Sequence, residues 1–279
     1  MSACAQTLDI LNFKTEFFLY TKGLRGREAL FTNDRNSIRN SRFDPCRKTA
    51  FLITGWFQPR GDLRIVTFAE TLASKRFNAI IVDFFTFDYF LSPLIAGGDI
   101  AKFLAALVDV TGVDPKSIQL LGISMGVHVA GQASRQFRVG RITDLGSINP
   151  YVGHVNYVIN DAITQPGCPD MDESIELCYH LRAAYLYLAS LDKCTIYFKQ
   201  CGSYIAFRLG LCRDRSNLAF GFALEAKDAP RNGRLYWYST KRDVYPFCNR
   251  ADQIAPKIPS RICRRSKNET AFDSEETPN

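Results

Sequence analysis

The sequence predicts an α/β fold, a mostly parallel central sheet covered by helices on both faces. Three observations carry this reading. Apolar strand-like runs alternate along the chain with helical stretches, as in a parallel sheet built from crossover units. Residues 79–83 (AIIVD) form a continuous apolar run, as expected of a strand buried on both faces. A Gly-x-Ser-x-Gly motif stands where one such strand hands over to a helix.

Taken in order, residues 17–20 (FFLY), 50–53 (AFLI) and 79–83 read as strands. Residues 100–110 (IAKFLAALVDV) space their apolar side chains as an amphipathic helix does. Residues 117–121 (SIQLL) return to strand, 125–137 to helix, 142–145 to strand, and 179–191 to helix. From there to residue 247 the chain is turn-rich and aromatic, with no element assigned. Beyond residue 249 it becomes polar and basic. The expected organisation is one domain over 1–248 and a loose tail over 249–279, with no internal repeats.

Composition fits that picture. With 46% hydrophobic and 23% charged residues in 279, the chain can bury a substantial core, which excludes a coiled coil or a disordered chain. The net charge of +7 concentrates in two clusters: Arg25, Arg27, Arg35, Arg39, Arg42, Arg47 and Lys48, then Arg261, Arg264, Arg265 and Lys267. These read first as solvated faces, and more sharply as contacts for anionic lipid or polyanionic glycans. Nucleic acid is not expected, since no zinc-finger, homeodomain or RNA-binding signature occurs. Nine cysteines without a C-x-x-C, beside only three histidines, point to disulfides in an oxidising compartment, not to a zinc site. The odd count leaves at least one thiol unpaired within the chain. A sequon at Asn268 agrees with an extracellular location, although residues 1–10 carry no signal-peptide pattern and no stretch reads as transmembrane.

The chemistry centres on Gly122-Ile123-Ser124-Met125-Gly126. The bare pattern arises by chance in roughly one chain in ten of this length, but here an apolar strand precedes it and small residues follow. A serine on a strained strand-to-helix turn exposes its hydroxyl, and glycines are needed where the two backbones nearly touch. The Met125 N–H and the helix N-terminus then face a developing oxyanion.

Residues 122–131 (GISMGVHVAG) resemble the elbow of the pancreatic lipase family of animal lipases and phospholipases A1. The resemblance extends over about residues 13–248. Phe51-Leu52-Ile53-Thr54-Gly55-Trp56 is similar to that family's F-I-I-H-G-W, with Thr54 in place of the histidine. Residues 78–83 match a buried strand, residues 153–157 (GHVNY) and 165–169 (QPGCP) match the approach to the lid, and Cys178-Tyr179-His180-Leu181-Arg182-Ala183 matches C-S-H-x-R-A. Residues 185–212 most resemble the membrane-associated phosphatidic-acid and phosphatidylserine phospholipase A1 branch. The resemblance implies an α/β-hydrolase with Ser124 as nucleophile, His180 as base, and Trp56 and Met125 as backbone donors to the oxyanion. It implies no metal or organic cofactor, a lipid or phospholipid substrate at a membrane or lipoprotein surface, and a secreted protein. His128 and His154 are assigned structural roles. Disulfides Cys168–Cys178 and Cys201–Cys212 follow from family positions. Nine residues, 169–177, lie between the lid cysteines, and in this family short lids go with phospholipases.

Two departures stand against full activity. The segment Arg141-Ile142-Thr143-Asp144-Leu145-Gly146-Ser147-Ile148-Asn149-Pro150 places Gly146 where the family has its triad aspartate. Asp144 lies two residues earlier, about 6.6 Å along a strand, too far to reach His180 without a register shift. Asp170, Asp172 and Glu173 fall in an expected surface loop. Also, Gly153 follows Pro150 almost at once, where the family has a few dozen residues including a strand. Either the sheet ends one strand early or residues 152–159 fill the vacancy. The family's C-terminal β-sandwich is not expected, because about thirty residues follow Cys248. The sequence thus supports two readings: a serine ester hydrolase impaired by the lost acid, or an inactive relative kept for lipid binding, storage or partner binding.

Overall fold

The computed structural model describes residues 15–24, 26–55, 62–84, 88, 90–145, 155–160, 164–168, 175–212, 217–224, 228, 230, 235–259 and 261–263. Its first layer is a six-stranded sheet of β1 (Glu16–Tyr20), β2 (Glu28–Leu30), β3 (Thr49–Ile53), β4 (Asn78–Asp83), β5 (Ile118–Ile123) and β6 (Arg141–Leu145) in the order β2-β1-β4-β3-β5-β6. Strands β4, β3, β5 and β6 are parallel, while β1 is antiparallel to both of its neighbours. Ile53 pairs with Gly122, and Ile123 with Leu145, so the chains leaving β3, β5 and β6 all emerge at one edge.

Side-chain alternation sorts the sheet into two cores. Phe18, Leu52, Ile81, Leu121 and Ile123 point one way, toward α2 (Leu63–Ser74) and α5 (Ile175–Asp192). Phe17, Phe51, Ile80 and Leu120 point the other way, toward α3 (Leu91–Thr111) and α4 (Gly126–Gln136). Of two short helices, α1 (Arg35–Arg39) packs on α3 and buries Ile38 in the second core, while α6 (Tyr204–Arg208) lays Tyr204 and Phe207 against Trp237, apart from both cores. The arrangement is an α/β-hydrolase, as expected. Two polar side chains tie these elements together: the buried Asn78 amide donates to Asp44 O at 2.8 Å and Thr49 Oγ1 at 3.2 Å, pinning the loop before β3 to the start of β4. Gln119 Nε2 donates to Thr143 Oγ1 at 2.7 Å and to the Tyr187 hydroxyl at 2.6 Å, which joins β5, β6 and α5.

Three features differ from the sequence reading or resolve it. First, among the described residues β6 ends the sheet. Residues 156–159 form β7 (Asn156–Ile159), but they do not fill a place beside β6. Second, β7 joins a four-stranded sheet that the sequence did not announce, in the order β7-β10-β8-β9, with β8 (Tyr197–Gln200), β9 (Asn217–Ala219) and β10 (Leu235–Tyr238). Aromatic packing recruits β7 there. The Tyr157 ring meets Phe198 at 4.9 Å and Phe220 at 5.1 Å, and its hydroxyl donates to Ala219 O at 2.6 Å. Third, the start of the expected loose tail is anchored. Thr195 N donates to Asp252 O, Ile262 N donates to Cys46 O, and a disulfide joins Cys46 to Cys263. The described cysteines also form Cys168–Cys178 and Cys201–Cys212, both expected, and Cys194–Cys248. Cys4 lies outside the described residues.

Candidate active site

The site is built from the end of β5. Ser124 adopts φ +55°, a left-handed conformation that non-glycine residues rarely take. Its neighbours explain how the turn is held. A Cβ on Gly122 would stand 2.5 Å from Val127 Cα, and one on Gly126 would stand 2.2 Å from Ile53 O. Strand β5, helix α4 and the end of β3 therefore meet at backbone contact, and only glycine fits at either position. Ser124 is half-buried, and the Met125 side chain is sealed at 1% exposure. The Met125 N–H belongs to the first turn of α4, whose N-terminus carries partial positive charge. From the neighbouring strand, Gly55 backs onto the nucleophile, since a Cβ there would lie 3.0 Å from Ser124 Cβ. Thr54 is buried with its Oγ1 3.5 Å from Val82 O. Trp56 lies outside the described residues.

His180 rides on the first half of α5 and is half-buried; burial holds its imidazole below the ordinary pKa range. The residues next to the two in sequence share one cavity. Ile123, just before the serine, and Leu181, just after the histidine, line the same small apolar cavity, with Ile65 and Phe68 of α2 and Ala184 and Leu188 of α5. The structure does not close a hydrogen bond between Ser124 Oγ and His180, and among the described residues no carboxylate influences the imidazole.

The remaining sequence candidates separate clearly. Gly146, His154, Asp170, Asp172 and Glu173 lie outside the described residues. Asp144 is exposed on β6, paired in register with Gly122. His128 is half-buried on α4 and engaged in an interaction of its own. The sequence reading passed over Arg182, the only charged residue buried among the described ones. Its signal was present, because it is the arginine of the C-x-H-x-R motif.

The sequence profile of the family described as Lipase matches residues 2–155. The chain is 28% identical to "Phospholipase A1 member A" of Rattus norvegicus, over 85% of this chain and 64% of that protein. It is 30% identical to the Homo sapiens protein of the same name, over 76% of this chain and 59% of that one. It is 25% identical to "Pancreatic triacylglycerol lipase" of Myocastor coypus, over 71% of this chain and 57% of that protein. The aligned chain thus spans less than two thirds of the length of these relatives.

Proposed function

The chain belongs to the pancreatic lipase family, and on that premise we propose that it is a lipid carboxylic ester hydrolase of the lipase or phospholipase A1 type, slowed by loss of the triad acid. One observation carries the reading: Ser124 at φ +55° on a turn that Gly122 and Gly126 hold at backbone contact. In this reading the Ser124 hydroxyl attacks the acyl carbonyl while His180 takes its proton. The N–H groups of Met125 and Trp56 receive the oxyanion. His180 returns the proton to the leaving alcohol, and water activated by the same base releases the fatty acid. No metal or organic cofactor takes part.

The short lid between Cys168 and Cys178 favours phospholipid over triglyceride, because it offers little apolar surface to an oil interface. Four disulfides support an extracellular setting. Cys46–Cys263 and the bridge between Arg47 and Arg261 bring one residue of each basic cluster together at the edge of the sheet where β3 begins, opposite the edge where Ser124 stands. A contact with anionic lipid or glycan there would leave the Ser124 edge free. The second reading, an inactive relative that binds lipid or a partner, draws on Gly146 at the acid position.

Labelling with a fluorophosphonate ester probe tests the proposal. The wild-type chain should label slowly and Ser124→Ala not at all. Equal labelling of the two would remove Ser124 from the mechanism, and no labelling of either would favour the inactive relative. Turnover on phospholipid vesicles should exceed that on triolein; the reverse order would overturn the substrate preference.

A further inference from the structure

Arg182 is 5% exposed, yet no ion pair holds it among the described residues. Its Nη2 donates to Pro166 O at 2.7 Å and lies 3.5 Å from Cys168 Sγ. Its guanidinium carbon sits 3.7 Å from the centroid of the Phe247 ring. Its Nε is buried without a hydrogen-bond partner, and burial lowers its pKa, with Asp243 opposing only at a distance. A buried cation held by a carbonyl, a sulfur and a ring face is strongly unfavourable unless its surroundings are shaped for it.

They are so shaped. Gly167 takes φ +75°, and a Cβ there would meet Asp243 O at 2.6 Å, so only glycine lets residues 164–168 lie against residue 243. Phe247 takes φ +64° with a full side chain, and its carbonyl accepts from Thr240 Oγ1 at 2.8 Å. Cys248, the next residue, is bonded to Cys194 just beyond the end of α5. Three chain segments therefore converge on one guanidinium: the approach to the lid, helix α5, and residues 240–248. The first of them carries Cys168, whose disulfide partner Cys178 stands two residues before His180.

We propose that Arg182 is a positioning residue that locks residues 166–168 and Phe247 onto α5, and thereby sets where the His180 end of the helix stands relative to Ser124. The proposal rests on the Ser124–His180 reading above. Residues 180 and 182 project about 200° apart around the helix axis, so Arg182 acts through the backbone of α5 and not by touching the imidazole or the substrate.

The test uses the whole chain and two measurements. The first is the limiting rate constant of fluorophosphonate labelling at Ser124, read separately from the fraction labelled at completion. Arg182→Gln should lower the rate constant about tenfold or more with the end-point unchanged. Arg182→Lys should recover part of the loss, since an ammonium restores the donor to Pro166 but not the stack. Phe247→Leu should lower the rate in the same direction, and it carries the test if Arg182→Gln does not fold. The second measurement is the rate at which dithiothreitol reduces Cys168–Cys178, which does not depend on Ser124 chemistry. It should rise in Arg182→Gln, because the guanidinium covers Cys168 Sγ. A fall in end-point alone would mark a merely structural arginine and overturn the proposal, as would unchanged rates in both measurements. If the wild-type chain does not label, the Ser124 reading fails separately. The reduction rate then decides the clamp: a faster rate supports it and an unchanged rate overturns it.

Discussion

The two halves of the proposed catalytic pair are held by different means. Ser124 is positioned by close packing at one end of the sheet: Gly122 lies against Val127 of α4, Gly126 against Ile53 O, and Gly55 against Ser124 itself. His180 is positioned from a distance. Its helix depends on Gln119 and Thr143 reaching Tyr187, on Arg182 holding Pro166 and Phe247, and on two disulfides that span Cys168–Cys178 and Cys194–Cys248. The nucleophile end is held by glycine-permitted close approaches of β3, β5 and α4, whereas the base end is held by side-chain contacts and disulfides to segments between 10 and 68 residues away. In the proposed reading, the acid missing at residue 146 is missing from the half held by side chains and disulfides.

Restoring the acid probes that half with the largest effect. A triad carboxylate orients the histidine and stabilises the imidazolium, and its absence costs about 10⁴ in turnover, or roughly 5–6 kcal/mol of barrier. Gly146→Asp should raise the rate of ester hydrolysis by several orders of magnitude if α5 stands where its relatives place it. No gain would mean that the base end has moved with the shortened segment after residue 150, and the inactive-relative reading would gain. Ordinary lipase turnover in the unaltered chain would show instead that another carboxylate serves, with Asp144 the first to mutate.

The disulfides come next. In the chain-entropy view, opening a loop of 54 residues between Cys194 and Cys248 loses about 4 kcal/mol, against about 3 kcal/mol for the 10-residue Cys168–Cys178 loop. Paired Cys→Ser variants, compared by urea unfolding, should keep that order. The reverse order would mean that the lid loop carries native-state packing that chain entropy does not count. At the other half, Gly126→Ala should lose about 1–3 kcal/mol, since the added methyl meets Ile53 O at 2.2 Å and cannot be relieved by a side-chain rotation. A neutral outcome in a thermal melt would show that the elbow is looser than its contacts indicate.

The same division explains what could be read from the chain alone. Local patterns announced the elbow: a strand of continuous apolar residues, the glycines, and the helix of small residues after them. Every strand of the main sheet except the three-residue β2 was legible in this way, because burial on both faces or on one leaves a simple period. The second sheet was not. Its strands are three or four residues long, and their stability comes from Tyr157, Phe198 and Phe220 meeting across more than sixty residues. No local period encodes that. His180 was nominated only through resemblance, since a histidine in a helix has no distinguishing spacing. Arg182 was quoted within its motif and passed over, because nothing in sequence reveals that an arginine is buried without an acid.

The smallest expected effect is a shift along the pH axis, and it separates the two halves most cleanly. Burial lowers the His180 pKa below 6.5, and no described carboxylate raises it. The neutral imidazole needed to accept the Ser124 proton therefore persists to lower pH than in a free histidine. The acid limb of labelling at Ser124 should have its midpoint below pH 6.5. Stability follows the same sign: the unfolded chain binds the proton more readily, so this residue's contribution is complete above 6.5 and is lost as pH falls toward the folded pKa. Supplying a carboxylate changes the balance, because an aspartate at 146 within hydrogen-bond reach stabilises the imidazolium. In Gly146→Asp the acid limb should therefore move upward while the plateau rate rises. A rise in rate without that shift would mean that the new side chain repaired the fold near residue 146 and not the triad. A wild-type limb already at or above 6.5 would mean that the base end has kept an acid after all, and the two halves would then be less unequal than their contacts suggest.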